Sequence, residues 1–126
     1  MQNYQSEYDD YKKKAEEIKD EALKCASPHK LSQDVIQLEG YCLRVGEIIS
    51  ELSVLHAQYF DTYKTSDETD RTAEAMAVKR MDATYQTSLK KYEYFYKYLT
   101  KLTQAIKKRF QIIAHDYVNG KNGGGL

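Results

Sequence analysis

KKYEYFYKYLTK, residues 90–101, places five aromatic rings in the seven positions from Tyr92 to Tyr98 and brackets them with lysines. Two readings compete for this stretch. It is a surface on which nucleic-acid bases stack, or it is the core of a helical bundle built from tyrosine in place of leucine. Helical periodicity decides between them. With Tyr92 as a central core position, Phe95 is the next core residue, and Tyr96 and Tyr98 flank it on either side. Four rings then cover one broad face. Lys90, Lys97, Lys101 and Lys108 fall on the outer surface, with Arg80 and Lys107 nearby, and only Tyr94 lies among them. The stretch therefore reads mainly as core or subunit interface, where tyrosine gives a large contact area and keeps its hydroxyl wet.

Extended in both directions, the same period carries a central row of Val78, Tyr85, Tyr92, Leu99, Ile106 and Ile113. Met81, Phe95 and Leu102 flank it on one side, and Leu89, Tyr96, Phe110 and Tyr117 on the other. No strong breaker interrupts this pattern before Asn119-Gly120, so it predicts a helix of about fifty residues, roughly 75 Å at 1.5 Å per residue. Its start lies in KTSDETD, residues 64–70, where Thr65 followed by Glu68 has the form of a capping box. Asp67, Glu68 and Asp70 favour a helix start electrostatically.

A second helix precedes it, from about Pro28 to Tyr63. Ser27-Pro28 is an N-cap followed by proline at the first helical position. One row of this helix is Leu31, Leu38, Val45, Leu52 and Tyr59, and the next is Val35, Cys42, Ile49, His56 and Tyr63. A third row, Tyr41, Ile48 and Leu55, widens the apolar face until it needs more than one neighbour. A first helix carries the heptad seam Tyr4, Tyr8, Tyr11, Ala15, Ile18, Ala22 and Cys25. Asp9, Asp10 and Asp20 each stand four before a lysine on its outer faces, the favourable orientation. That seam is thin, so the helix depends on docking.

The predicted fold is all-α: a long antiparallel hairpin of helices two and three, with the N-terminal helix packed on it or continuing it. It would be one coiled-coil-like domain over residues 1–118, followed by a flexible Gly-rich tail at 119–126. A turn near residue 65 sets Ala57 near Ala73, Ser53 near Ala77, and Gly46 near Tyr85. Two paths are open at Pro28. A slight bend lets helix one run on in line and cover the end of helix three, with Glu16, Glu17, Asp20 and Glu21 near Lys107, Lys108 and Arg109. A reversal makes a three-helix bundle and leaves that end to another subunit.

Net charge is zero but uneven. Residues 1–70 hold eight basic and fifteen acidic side chains, a balance of −7, whereas residues 90–126 hold eight and two, a balance of +6. The halves can neutralise one another or present a basic surface to a polyanion, and the zero total weakens the second reading. The charged first twenty residues do not form a signal peptide, and no apolar run approaches a membrane span. Cys25 and Cys42 lack metal-ligand spacing and read as reduced thiols. The expected location is cytoplasmic, or the host cytoplasm or virion for a viral product.

Catalytic, metal-binding and cofactor-binding residues are expected to be none. There is no phosphate-cradling glycine loop, nucleophile elbow or Glu-x-x-His pair. His29, His56 and His115 lie in three separate regions, and His56 falls on an apolar row, where a boundary histidine with a local partner is the plain reading. Glu47 and Glu51 share a solvated helical face with no histidine beside them.

Size and helical-hairpin form resemble the small dimeric substrates of type VII secretion. That family carries a Trp-x-Gly turn, whereas the turn here reads KTSDETD and the chain has no tryptophan. The resemblance is architectural and carries no residues over.

The expectation is thus a non-catalytic helical interaction and assembly protein that self-associates and binds another macromolecule, of the kind found among phage and mobile-element accessory or structural products. The expected partners are copies of itself and another protein, without a membrane. Its expected self-association surface is Phe95, Tyr96, Leu102, Ile106, Phe110, Ile113 and Tyr117. The alternative is a nucleic-acid-associated accessory protein using Lys90, Tyr94, Lys97, Lys101 and Lys108.

Overall fold

The computed structural model describes residues 4–65 and 71–123, with the side chains of 59–65, 71–78, 117 and 119–123 outside the described set. The described chain is three helices: α1 (Gln5–Ala22), α2 (Pro28–Thr65) and α3 (Arg71–Gly123). No strand occurs among the described residues, and α2 and α3 pack closely as a helical hairpin. No described helix is long and apolar enough to cross a membrane.

The start of α2 follows from its cap. The Ser27 hydroxyl accepts the Lys30 backbone N–H at 3.3 Å, and the Ser27 carbonyl accepts the Leu31 N–H at 3.1 Å. Proline at the first helical position costs no hydrogen bond there. α2 is described to Thr65 and α3 from Arg71. Glu68, the other half of the predicted box, lies outside the described residues. At the other end α3 runs through Asn119-Gly120 to Gly123, so this pair does not stop the helix where the cap was expected.

Contacts divide the chain into two compact units. The first gathers the described residues of Met1–Leu43 and Lys97–Leu126. Its core is Ala15, Ile18 and Ala22 from α1, Leu31 and Leu38 from α2, and Leu99 and Ile106 from α3, all buried. These are the predicted seam and rows. Here α1 folds back: the Tyr11 ring stacks on Tyr41, with centroids 4.7 Å apart and planes inclined by 23°. The path at Pro28 is therefore a reversal, and the in-line continuation does not occur. The predicted contact of the α1 carboxylates with Lys107 and its neighbours is replaced by an ion pair of Lys107 with Glu39 on α2, at 2.7 Å.

The second unit is Arg44–Tyr96. Val45, Ile48 and Leu52 of α2 are buried here with Tyr85, Tyr92 and Phe95 of α3. Gly46 does meet a tyrosine ring, but it is Tyr96, whose Cε2 lies 3.7 Å from the position of an added Cβ. Tyr85 instead packs edge-on to the His56 ring, with centroids 5.5 Å apart. The hairpin register is thus displaced toward the C-terminus relative to the sequence expectation. One register serves every contact of an antiparallel pair, so the displacement seen at Gly46 recurs where His56 meets Tyr85. The pairings of Ala57 with Ala73 and Ser53 with Ala77 fall on side chains outside the described residues.

The same displacement changes what covers α3. Ile106 was expected to need another subunit, yet it is 3% exposed within the chain. Phe110 and Ile113 are half-buried.

Candidate functional site

The turn that joins α1 to α2 builds the best-defined surface feature of the first unit. Its backbone is tightened by three bonds: Leu23 N–H to the Lys19 carbonyl, Lys24 N–H to Glu21 and Cys25 N–H to Ala22. The carbonyl of Cys25 is taken by α3. Arg109 donates to it twice, from Nε at 3.1 Å and from Nη2 at 2.8 Å. A guanidinium presents parallel donors in a fixed fork, which a lysine cannot reproduce. The turn is therefore tied to α3 at one point.

Beside this tie lies an apolar cleft of about 330 Å³. Ala22, Leu102, Ala105 and Ile106 form its floor. Small side chains at Ala22 and Ala105 leave the depression open. Leu23 and Ile112 stand as walls, and they are 66% and 56% exposed. Lys19, Lys108 and Arg109 complete the lining, so every charged group around the cleft is basic. Among the described residues no acidic side chain pairs with Lys19 or Lys108. The volume lies at the small end for ligand clefts.

A second exposed apolar surface in this unit sits on α2. Ile36 and Leu43 are 68% and 72% exposed. Gly40 lies between them on the same helical face, and a Cβ placed there would meet nothing within 4 Å. A glycine inside a helix costs about 1 kcal/mol relative to alanine, and no contact within the described chain asks for it.

The expected self-association surface is only partly available. Phe95 and Ile106 are each covered within their own unit, so they offer nothing to a second chain. Ile106 was read as interface because the expected hairpin left the end of α3 beyond α2, whereas Phe95 belongs to the ring cluster read as core or subunit interface. Tyr96 is 41% exposed, Leu102 is half-buried on the cleft floor, and the Tyr117 side chain lies outside the described residues. Of the expected nucleic-acid face, Lys90 and Tyr94 are exposed in the second unit, and Lys97, Lys101 and Lys108 are exposed in the first.

His56 Nε2 lies 2.7 Å from Asp82 Oδ1, which supplies the partner expected of a boundary histidine. Burial pushes the Cys42 thiol above its ordinary 9.0, and hydrogen bonds from Thr100 and Thr103 partly offset this. Both cysteines are free thiols. Burial, with a smaller contribution from Glu16 and Asp20, raises the Tyr98 phenol above 10.0. No group of three or more His, Cys, Asp or Glu that could hold a metal occurs among the described residues.

Asp34 is the residue that sequence reasoning missed. It is 1% exposed, with Oδ1 held by Lys30 at 3.0 Å and Oδ2 buried without a hydrogen-bond partner. Its signal was its place one heptad before Tyr41 on the third row of α2.

Comparison with protein-family models, with curated proteins and with solved structures gave no match for this chain.

Proposed function

We propose that this chain is a non-catalytic helical interaction protein that self-associates and holds another macromolecule. One observation carries the reading: on a chain with 30% charged residues, large aliphatic side chains stand in water on two faces of the first unit. Leu23 and Ile112 wall the cleft, while Ile36 and Leu43 flank Gly40. Large exposed apolar surface on a charge-rich protein marks contact sites.

The two faces suit different occupants. Ile36, Gly40 and Leu43 carry no charge, so two copies meet there without like-charge repulsion. Gly40 lets a second helix approach closely. This face is assigned to self-association, in place of the covered residues of α3. The cleft is assigned to the other macromolecule.

Sedimentation equilibrium of the full chain tests the assembly. A dimer or larger species is expected. The double substitution Ile36→Glu with Leu43→Glu, at two exposed positions, should return it to the monomer mass of 14.7 kDa. A monomer at every concentration overturns the self-association reading.

A second reading rests on Tyr94, which is 70% exposed on a helix rich in lysine. An exposed ring near lysines is one element of single-strand binding. Oligonucleotide affinity should then fall steeply with salt and drop on replacing Lys97 and Lys101 with glutamate. Affinity indifferent to those substitutions removes this reading.

A further inference from the structure

The cleft between the C-terminal end of α1 and α3 has a chemistry that selects its occupant. We infer that it receives an acidic amphipathic helix of a partner protein, with aliphatic side chains in the cleft and carboxylates against Lys19, Lys108 and Arg109. The inference rests on the proposed reading of the chain as an interaction protein and names the partner of that cleft.

Three features lead there. The floor of Ala22, Leu102, Ala105 and Ile106 is apolar, so the inserted group is apolar. The charged lining is basic throughout, so the group around the insert is anionic. The walls Leu23 and Ile112 stay more than half exposed. A small ligand seated on the floor would leave those outer wall surfaces in water, whereas a helix lying along the cleft covers them. Apolar anchors at i, i+3, i+4 and i+7 with a polar opposite face are how an amphipathic helix fills such a groove.

The basic lining also argues against a second copy seated cleft to cleft. A two-fold contact there would set Lys19, Lys108 and Arg109 against the same three residues. Like charges placed together across an interface cost several kcal/mol.

The experiment uses the full-length chain and two fluorescein-labelled helical peptides of about four turns. Both carry leucine at i, i+3, i+4 and i+7; one carries glutamate at the remaining outer positions and the other lysine. Fluorescence anisotropy is expected to show the glutamate peptide binding at least about tenfold more tightly than its lysine twin. The double substitution Lys19→Glu with Lys108→Glu should invert that preference. Ile112→Asp should abolish binding of both peptides. All three positions are exposed, and circular dichroism confirms that the variants stay helical.

Equal binding of the two peptides, or a preference that survives charge reversal, overturns the inference. So does binding of laurate, displaced by Ile112→Asp, when neither peptide binds, since that assigns the cleft to a small anionic amphiphile. A drop in sedimentation mass on charge reversal overturns it too, since a second copy then occupies the cleft. Failure of both peptides with a dimer sensitive to Leu43→Glu removes this inference alone. Failure with a monomer throughout removes the interaction reading as well.

Discussion

Lys30 and Asp34, one turn apart on α2, are bonded at 3.0 Å while standing in opposite surroundings: the lysine side chain is 46% exposed and the aspartate 1%. The carboxylate is thus a buried anion held by a single surface cation, with its second oxygen unpartnered. Removing one partner of such a pair costs more than removing both, because the survivor stays desolvated. Lys30→Met should therefore lower stability by about 1–3 kcal/mol. Asp34→Leu, or the pair of substitutions together, should be near neutral or stabilising. Urea unfolding midpoints check the ordering, and a Lys30→Met variant as stable as the parent contradicts it.

The same pair sets an alkaline limit. The hydrogen bond from Lys30 to Asp34 is the larger cause, and the charge of Asp34 the next, holding the ammonium above its ordinary 10.5. A raised folded value means the contribution is fully present below 10.5 and is lost as pH rises through the folded value. Melting temperatures of the parent and of Lys30→Met should differ at neutral pH and converge in strong alkali. A gap that widens above 10.5 contradicts the sign.

Gly40 and Gly46 offer a test of helix propensity against contact. An added Cβ meets nothing at Gly40, and at Gly46 it meets the Tyr96 ring at an ordinary 3.7 Å. Alanine at either site should raise stability by up to about 1 kcal/mol. If Gly40 lies where two copies meet, Gly40→Ala raises the melting temperature at low concentration and weakens association. Gly46→Ala raises the first without changing the second. Equal effects of the two substitutions on association would remove Gly40 from the interface.

Cys42 should alkylate slowly. Its thiol is raised above 9.0 chiefly by burial, so little thiolate exists near neutral pH. A hydrogen bond from Thr100, the larger of those that offset burial, favours the thiolate. Iodoacetamide labelling followed by peptide mass spectrometry should find Cys42 slower in the folded than in the denatured chain. Thr100→Val should slow it further. Faster labelling in that variant would indicate that the site has opened.

Much of this architecture was legible in the spacing of apolar residues. Leu31, Leu38, Val45 and Leu52 on α2, and Tyr85, Tyr92, Leu99 and Ile106 on α3, were placed inside by a period of seven and are buried. Ser27 was placed as a cap by the proline after it, and its hydroxyl caps α2. The hairpin register was not legible, because it depends on where the turn closes, and a heptad pattern repeats itself at every shift of seven. That ambiguity moved the partner of Gly46 from Tyr85 to Tyr96. It also made Ile106 look uncovered. Asp34 escaped notice because a lone carboxylate on a charged helix reads as solvated until its neighbours in space are known. The cleft combines residues near Leu23 with residues near Ile112, and no pattern along one helix reveals such a pairing.

The grip of Arg109 on the Cys25 carbonyl joins residues 84 positions apart. During synthesis α1, its turn and α2 leave the ribosome long before Arg109 does. The reversal at the turn is therefore made early and clasped late. Contacts of such long span are slow to form, because the intervening chain must first be ordered. The thin seam of α1 must hold the first fold of the nascent chain with tyrosine, alanine and little besides Ile18. A chain that stops short of Arg109 leaves that fold without its last fastening, so the final turns of α3 govern whether the first helix stays in place.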